Sequence, residues 1–225
     1  EDYPSSYNFH ESQDYVDYTD DIYVGYRYFE TIPGADKKVV YPFGYGLSYT
    51  TFEYSDINVA EDKVTFTITN TGKMDGEEIA QMYVSCKSDK IYRPKKELKG
   101  FKKVFLKAGE SKQVEIPFDD KTFRYFNVKT NKFEIETAEY VISIASNVED
   151  VRISAEISIK GTEAENPYVK EKMPSYYKAD IKNVDDKQFE TLLGRKIPDG
   201  SWSGELSMYD AFCQLYYAKR WVGRL

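Results

Sequence analysis

This sequence is poor in the residues from which metal and redox sites are made. It has one histidine, His10, and two cysteines, Cys86 and Cys213, among 225 residues. No CxxC pair and no Cys/His cluster occurs, which argues against a structural zinc site, so no metal and no cofactor is expected. Two cysteines in segments read as different elements are expected to be idle thiols rather than a bridge. No apolar run approaches the roughly 20 residues of a membrane span, and no P-loop or GxGxxG phosphate cradle is present. Basic residues are outnumbered, 31 Lys and Arg against 38 Asp and Glu, for a net charge of −7 and a pI near 5.0. That balance points away from nucleic acid and from an anionic membrane as partners. The first residues carry neither a basic region nor an apolar stretch, so no signal peptide is read there, and the first residue is not Met. The compartment stays open on these grounds, with the cytoplasm slightly favoured.

What is abundant is aromatic. The chain holds 21 Tyr and 13 Phe, and 41% of it is apolar, enough for a packed core. Residues 1–21 are polar, acidic and Tyr-rich, without a helical or alternating period, and read as extended chain or loop. Ile22–Phe29 is a compact aromatic run with strong β propensity, broken by Pro33-Gly34. Tyr41-Pro-Phe-Gly-Tyr-Gly-Leu-Ser-Tyr49 reads as a packed connector leading into a first strand, where Gly44 and Gly46 let the backbone turn tightly or approach a neighbour.

From there to about residue 160 the pattern is β. Val64, Phe66 and Ile68 alternate with threonines, as a half-buried strand requires. Further strands are expected over Ile79–Cys86, Leu98–Leu106, Lys112–Phe118, Phe123–Val128, Lys132–Ile135, around Tyr140–Ile144, and over Val151–Ile159. Asn70-Thr-Gly72 marks a turn, Lys107–Glu110 a hairpin loop and Lys129–Asn131 another turn. Seven to eight short strands without intervening helices predict antiparallel pairing. The fold expected is mainly β, an immunoglobulin-like or fibronectin-III-like sandwich, with an irregular aromatic segment before it and a short helical extension after it. The absence of a Cys…Trp…Cys pattern favours the fibronectin-III-like form. Beyond Gly161, residues 162–184 read as a linker or strap. Asp185–Gly194 reads as a short capped helix with Phe189, Leu192 and Leu193 on one face. Asp199–Trp202 reads as a turn. Ser207-Met-Tyr-Asp210 resembles a capping box opening a second helix with an apolar stripe of Met208, Phe212, Leu215 and Val222.

Three stretches resemble family 3 glycoside hydrolases of the β-glucosidase type. Tyr18–Glu30 is similar to the family's run near the end of its α/β-sandwich domain. Tyr41–Phe52 is similar to the junction between that domain and the fibronectin-III-like domain. Arg93-Pro-Lys-Lys-Glu-Leu-Lys-Gly-Phe-Lys-Lys-Val104, followed by Leu106-Lys-Ala-Gly-Glu110, is similar to a strand pair inside the latter. One departure is Asp20-Asp21, where the family commonly has Glu-Gly, read here as a surface change. Phe189–Pro198 resembles an extension of some bacterial members.

The resemblance implies three parts: residues 1–40 as the incomplete end of the α/β-sandwich domain, 41–161 as the fibronectin-III-like sandwich, and 162–225 as linker and helical extension. It implies a longer enzyme that hydrolyses β-glucosides with retention, which takes a nucleophilic carboxylate and a carboxylic acid across the scissile bond. The family's segments bearing both are absent here, so no catalytic residue is assigned and this portion is expected to be inactive alone. Its expected partners are the remaining catalytic domains, with β-glucoside or oligosaccharide met through them, and a homodimer contact is allowed. Tyr26, Arg27, Tyr28, Phe43, Gly44 and Gly46 are candidates for a domain interface. Tyr41, Phe43 and Tyr45 are weak candidates for stacking on a sugar. The rival readings are a stand-alone sugar-binding sandwich and a protein-interaction module, since a sandwich alone does not fix function.

Overall fold

The computed structural model describes residues 16–198, with Tyr3 and Ser6. Nine strands occur among the described residues: β1 Phe52–Val59, β2 Lys63–Asn70, β3 Gly76–Cys86, β4 Glu97–Leu106, β5 Ser111–Pro117, β6 Arg124–Asn127, β7 Lys132–Ile135, β8 Ala138–Ala145 and β9 Val151–Ile159. They form a three-stranded sheet in the order β1-β2-β5, a four-stranded sheet in the order β4-β3-β8-β9, and a separate β6–β7 hairpin. Every pairing is antiparallel. Among the described residues three short α-helices flank the sandwich: α1 Tyr26–Thr31, α2 Pro174–Tyr177 and α3 Asp186–Leu193.

The two sheets face each other across residues picked out by alternation. Val64, Phe66 and Ile68 of β2 and Val114 and Ile116 of β5 meet Ala80, Met82 and Val84 of β3 and Tyr140, Ile142 and Ile144 of β8. Removing these apolar faces from water is the main force closing the sandwich. Asn70 ties one end of it. This residue is fully buried. Its amide donates to Met74 O at 2.8 Å and Leu106 O at 3.1 Å, while Oδ1 accepts from Gly72 N–H and from the Thr50 hydroxyl. Tyr140 ties the other. Near the start of β8 its hydroxyl donates to Glu136 O at 3.0 Å, the tyrosine-corner arrangement of immunoglobulin-like sandwiches.

Four local expectations are corrected. Lys107–Glu110 is not a hairpin loop, because β4 and β5 belong to different sheets and this loop crosses between them. Alternation locates a strand but does not choose its partner. Ile22–Phe29 is not a strand. Gly25 at φ 58 turns the chain and Tyr26–Thr31 is helical. Aromatic β propensity expresses fit to a pleated surface, and no strand pairs with this run. Asp20-Asp21 is not a surface change, since Asp20 is buried and Asp21 is hydrogen-bonded to Tyr92. Finally, 162–184 is more than a strap: Tyr168, Met173, Tyr176 and Ile181 are buried. The helix at Asp185 forms as capped, with Asp185 accepting from Gln188 N–H and Gly194 closing it at φ 70. Cys86 is half-buried at the end of β3. Cys213, His10, the Asp199–Trp202 turn and the second helix from Ser207 lie outside the described residues.

Tyr140→Phe keeps the ring in the core and removes one hydrogen bond. It is expected to lower unfolding free energy by about 1 kcal/mol, read from urea denaturation followed by circular dichroism.

Candidate domain-docking site

The short helix α1 has no side-chain N-cap and too few residues to be stable alone. It is held by residues 95–98, the stretch that enters β4. Thr31 Oγ1 accepts from Lys95 N–H at 2.8 Å, and the Tyr26 hydroxyl accepts from Leu98 N–H at 2.8 Å. Between them, Lys96 Nζ lies 3.6 Å from Glu30, with the two side chains only 12% and 9% exposed, and Arg27 Nε lies 3.3 Å from Glu97. Lys96 also donates to Val148 O and sits 5.9 Å above the Tyr83 ring. Burial depresses the Lys96 pKa, and the facing Glu30 carboxylate opposes that shift.

The connector follows α1 and lies along the outer face of β3. Phe43 stacks on Tyr26 with ring centres 4.4 Å apart, and its carbonyl accepts from Val148 N–H at 2.9 Å. Gly44 O accepts from Gln81 Nε2 at 3.0 Å. The same amide nitrogen donates to Ser146 O at 2.6 Å, and Gln81 Oε1 accepts from the Tyr83 hydroxyl at 2.7 Å. Gly44 has φ 81, and a Cβ there would stand 2.1 Å from Gln81 Oε1. Further on, Ser48 and Thr50 lie against Gly76. The backbone is thus fastened while the side chains face outward: Val40, Tyr41, Tyr45, Leu47 and Tyr49 are exposed, Leu47 at 88% and Tyr49 at 93%. Tyr41 and Tyr45 approach each other at 5.1 Å. Beyond the connector, Ile79, Phe101 and Phe105 are exposed on β3 and β4. The pairings Gln81↔Phe101 and Glu77↔Phe105 place them on the face the connector runs along.

A second core lies beneath α1. Tyr23, Tyr28 and Ala35 pack with Ile91, Tyr92, Tyr168, Met173, Tyr176, Ile181, Phe189 and Leu192. Residues before the sandwich and residues after it therefore share one apolar cluster. Two reciprocal bonds join them: the Tyr23 hydroxyl donates to Tyr176 O and the Tyr176 hydroxyl donates to Thr19 O, both at 2.9 Å. Asp21 accepts from the Tyr92 hydroxyl at 2.6 Å. Burial raises the carboxyl pKa of both Asp20 and Asp21 above the ordinary value, and raises Tyr92, Tyr23 and Tyr176 as well. Nearby, Arg93 lies 3.1 Å from Glu136 and between the rings of Tyr125 and Tyr140, at 5.4 and 5.9 Å. Among the described residues no group of His, Cys, Asp and Glu is placed to hold a metal ion.

The fold and this arrangement define a fibronectin type III-like sandwich carrying an ordered connector and a flanking core. The family model for the fibronectin type III-like domain matches residues 78–148. β-Glucosidase A of Butyrivibrio fibrisolvens is 44% identical over 177 residues, covering 68% of this chain and 21% of that protein. An exo-α-(1→6)-L-arabinopyranosidase of Bifidobacterium longum is 42% identical, covering 70% of this chain and 21% of that protein. The crystal structure of a family 3 β-glucosidase from Bifidobacterium adolescentis superposes with TM-score 0.66 at 39% identity, covering 75% of this chain and 25% of that one. The chain belongs with the family 3 glycoside hydrolases of the β-glucosidase type, as the C-terminal part that carries their fibronectin-III-like domain. It spans about a fifth of the length of the curated relatives it matches.

Of the residues singled out in the sequence, Tyr26, Arg27, Phe43 and Gly44 come together against the sandwich. Tyr28 is buried in the second core, and Tyr41 and Tyr45 project outward. Gly46 has nothing within 4 Å of the place a Cβ would take. Sequence reasoning missed Glu30, Lys96 and Gln81. Gln81 could have been found, since with Tyr83 it puts bulk on the face of β3 opposite Ala80, Met82 and Val84. A strand heavy on both faces is covered on both.

Gly44→Ala forces a side chain into the Gln81 amide at a left-handed φ. A loss of about 1–3 kcal/mol in urea unfolding is expected. Asp21 supplies a pH test. Its folded pKa lies above the ordinary 3.8, so its favourable contribution is present below that value and is lost as pH rises through the raised one. Asp21→Asn can still accept from Tyr92 but does not titrate. Its stability relative to the unmodified chain is expected to grow between about pH 4 and 7, measured as urea midpoints across that range.

Proposed function

We propose that this chain is the non-catalytic portion of a retaining β-glucosidase-type family 3 glycoside hydrolase, and that it braces the catalytic domains through its connector face. One observation carries the reading. The row Val40, Tyr41, Tyr45, Leu47 and Tyr49 is exposed, yet the backbone beneath it is pinned by Gln81 and Val148, and the Thr50 hydroxyl that follows is held by Asn70. Apolar rings fixed in place without cover are what a docking surface presents, because their ordering cost is met before the partner arrives. On this reading residues 1–40 are the end of the α/β-sandwich domain, Tyr26, Arg27, Phe43 and Gly44 fix its angle to the fibronectin-III-like domain, and residues 162–225 are an extension. Relatives of similar identity are named for a β-glucoside and for an α-linked arabinopyranoside. Sugar choice is accordingly assigned to the other domains.

A second reading rests on the Tyr41–Tyr45 pair, whose outward rings could stack on a sugar as part of a stand-alone binding sandwich. The two readings separate in one series. The purified chain is expected to give no turnover of a chromogenic β-glucoside above a denatured sample, and no retention on insoluble glucan. Supplied with separately produced barrel and α/β-sandwich domains, it should restore turnover, and Leu47→Asp with Tyr49→Asp should weaken that restoration by about tenfold, roughly 1.4 kcal/mol of docking free energy. Turnover by the chain alone would place a carboxylate pair inside it and sink the non-catalytic reading. Glucan retention lost with Tyr41→Ala would favour the sugar-binding sandwich.

A further inference from the structure

Between the β6–β7 hairpin and α3 runs a groove with apolar walls. Its wider part is a cavity of about 600 Å³ whose lining includes Ile22, Phe126, Phe133, Leu192 and the cations Lys121 and Arg124. Past Asp21, Val128 and Leu192, which line both parts, it continues into a hollow of about 390 Å³ walled by Val16, Tyr18, Leu193 and Pro198. Five of these apolar residues are exposed: Val16, Tyr18, Phe126, Val128 and Phe133. They stand on two separate stretches of chain, before α1 and on the hairpin, so the open strip arises from their tertiary arrangement.

We infer that residues 199–225 of this same chain occupy the groove. Three observations select them. The first is position: Pro198, the residue from which this segment departs, is part of the groove wall. The second is reach. Nine residues from 199 to 207 span up to ~30 Å when extended. Ser207–Val222, read as a helix, adds ~24 Å. The third is chemistry. Met208, Phe212 and Leu215 recur at helical spacing, and Trp202 lies near the start. The apolar stripe matches the apolar wall of the groove.

The chain supplies its own probe. Both of its tryptophans, Trp202 and Trp221, lie in residues 199–225, so tryptophan emission reports on that segment alone. In the intact chain the emission is expected to be blue-shifted from that of the urea-unfolded chain and protected from acrylamide, at every protein concentration. Phe133→Ser and Val128→Ser, made singly and together, should move the emission toward the unfolded value and remove the protection while the sheet signal in circular dichroism stays. Phe133 is 62% exposed, so the single change there keeps the test separate from folding. Leu47→Asp, on the connector face, should leave the emission unmoved. Unfolded-like emission from the intact chain, or emission indifferent to the groove changes, would overturn the assignment. Protection that disappears on dilution together with a fall from dimer to monomer mass would overturn it too, and would give the groove to a second copy.

Discussion

The Lys96–Glu30 ion pair is the contact on which the arrangement around the sandwich depends. It is nearly closed to water, and it joins α1 to the residue that leads into β4, the strand that borders the four-stranded sheet. Taking both charges out of water is costly, and their attraction repays that cost only in good geometry. The neighbouring bonds supply the geometry. Lys95 and Leu98 N–H groups hold Thr31 and Tyr26 at either end of α1, so Glu30 has little freedom to leave. Breaking one partner would leave the other charged and buried, which in general costs on the order of 3–5 kcal/mol. A helix of six residues gains its permanence this way, through tertiary contacts rather than through propensity.

From that contact follows the double cover of β3. Its inner face, Ala80, Met82 and Val84, meets the opposite sheet, as in any sandwich. Its outer face would be wet if α1 and the connector were absent, and it carries Gln81 and Tyr83, both buried here. Gln81 suits the place because the connector offers a backbone carbonyl at Gly44 and the β8–β9 turn offers another at Ser146. One amide nitrogen satisfies both, and Tyr83 satisfies the amide oxygen. A glycine is needed at 44 for the approach to be close enough. The three motifs quoted from the sequence are therefore parts of one assembly: α1, the connector and the 93–104 stretch touch one another.

Much of the sandwich was legible because its signal is local. Period-two alternation and turn signals found β7 and β9 at their observed bounds and most other strands within a few residues. Asp185 and Gly194 announced α3 by cap chemistry alone. Failures arose where the answer depends on distant chain. Nothing local in Lys107–Glu110 says that its flanking strands join different sheets. Nothing in Ile22–Phe29 says that Leu98 and Lys95 wait with backbone donors. Asp20-Asp21 looked solvated because acidic residues usually are, and its burial under Tyr92 and Tyr176 could not be seen without the chain that follows residue 160. For the candidate site, the aromatic residues were visible as a class, but which ones point outward was not.

The second core ties together the chain on either side of the sandwich. Tyr23 and Tyr28 face Tyr92, Met173 and Tyr176, and the hydroxyl bonds between Tyr23, Tyr176 and Thr19 run both ways. The segment after the sandwich thus supplies the surface on which the segment before it folds. Raised carboxyl pKa values at Asp20 and Asp21 mark what this costs: two acids are held in a site that favours their neutral forms. Through the packing of Tyr176 against Tyr23 and Tyr92, the chain beyond Gly161 supports the residues that lead into α1.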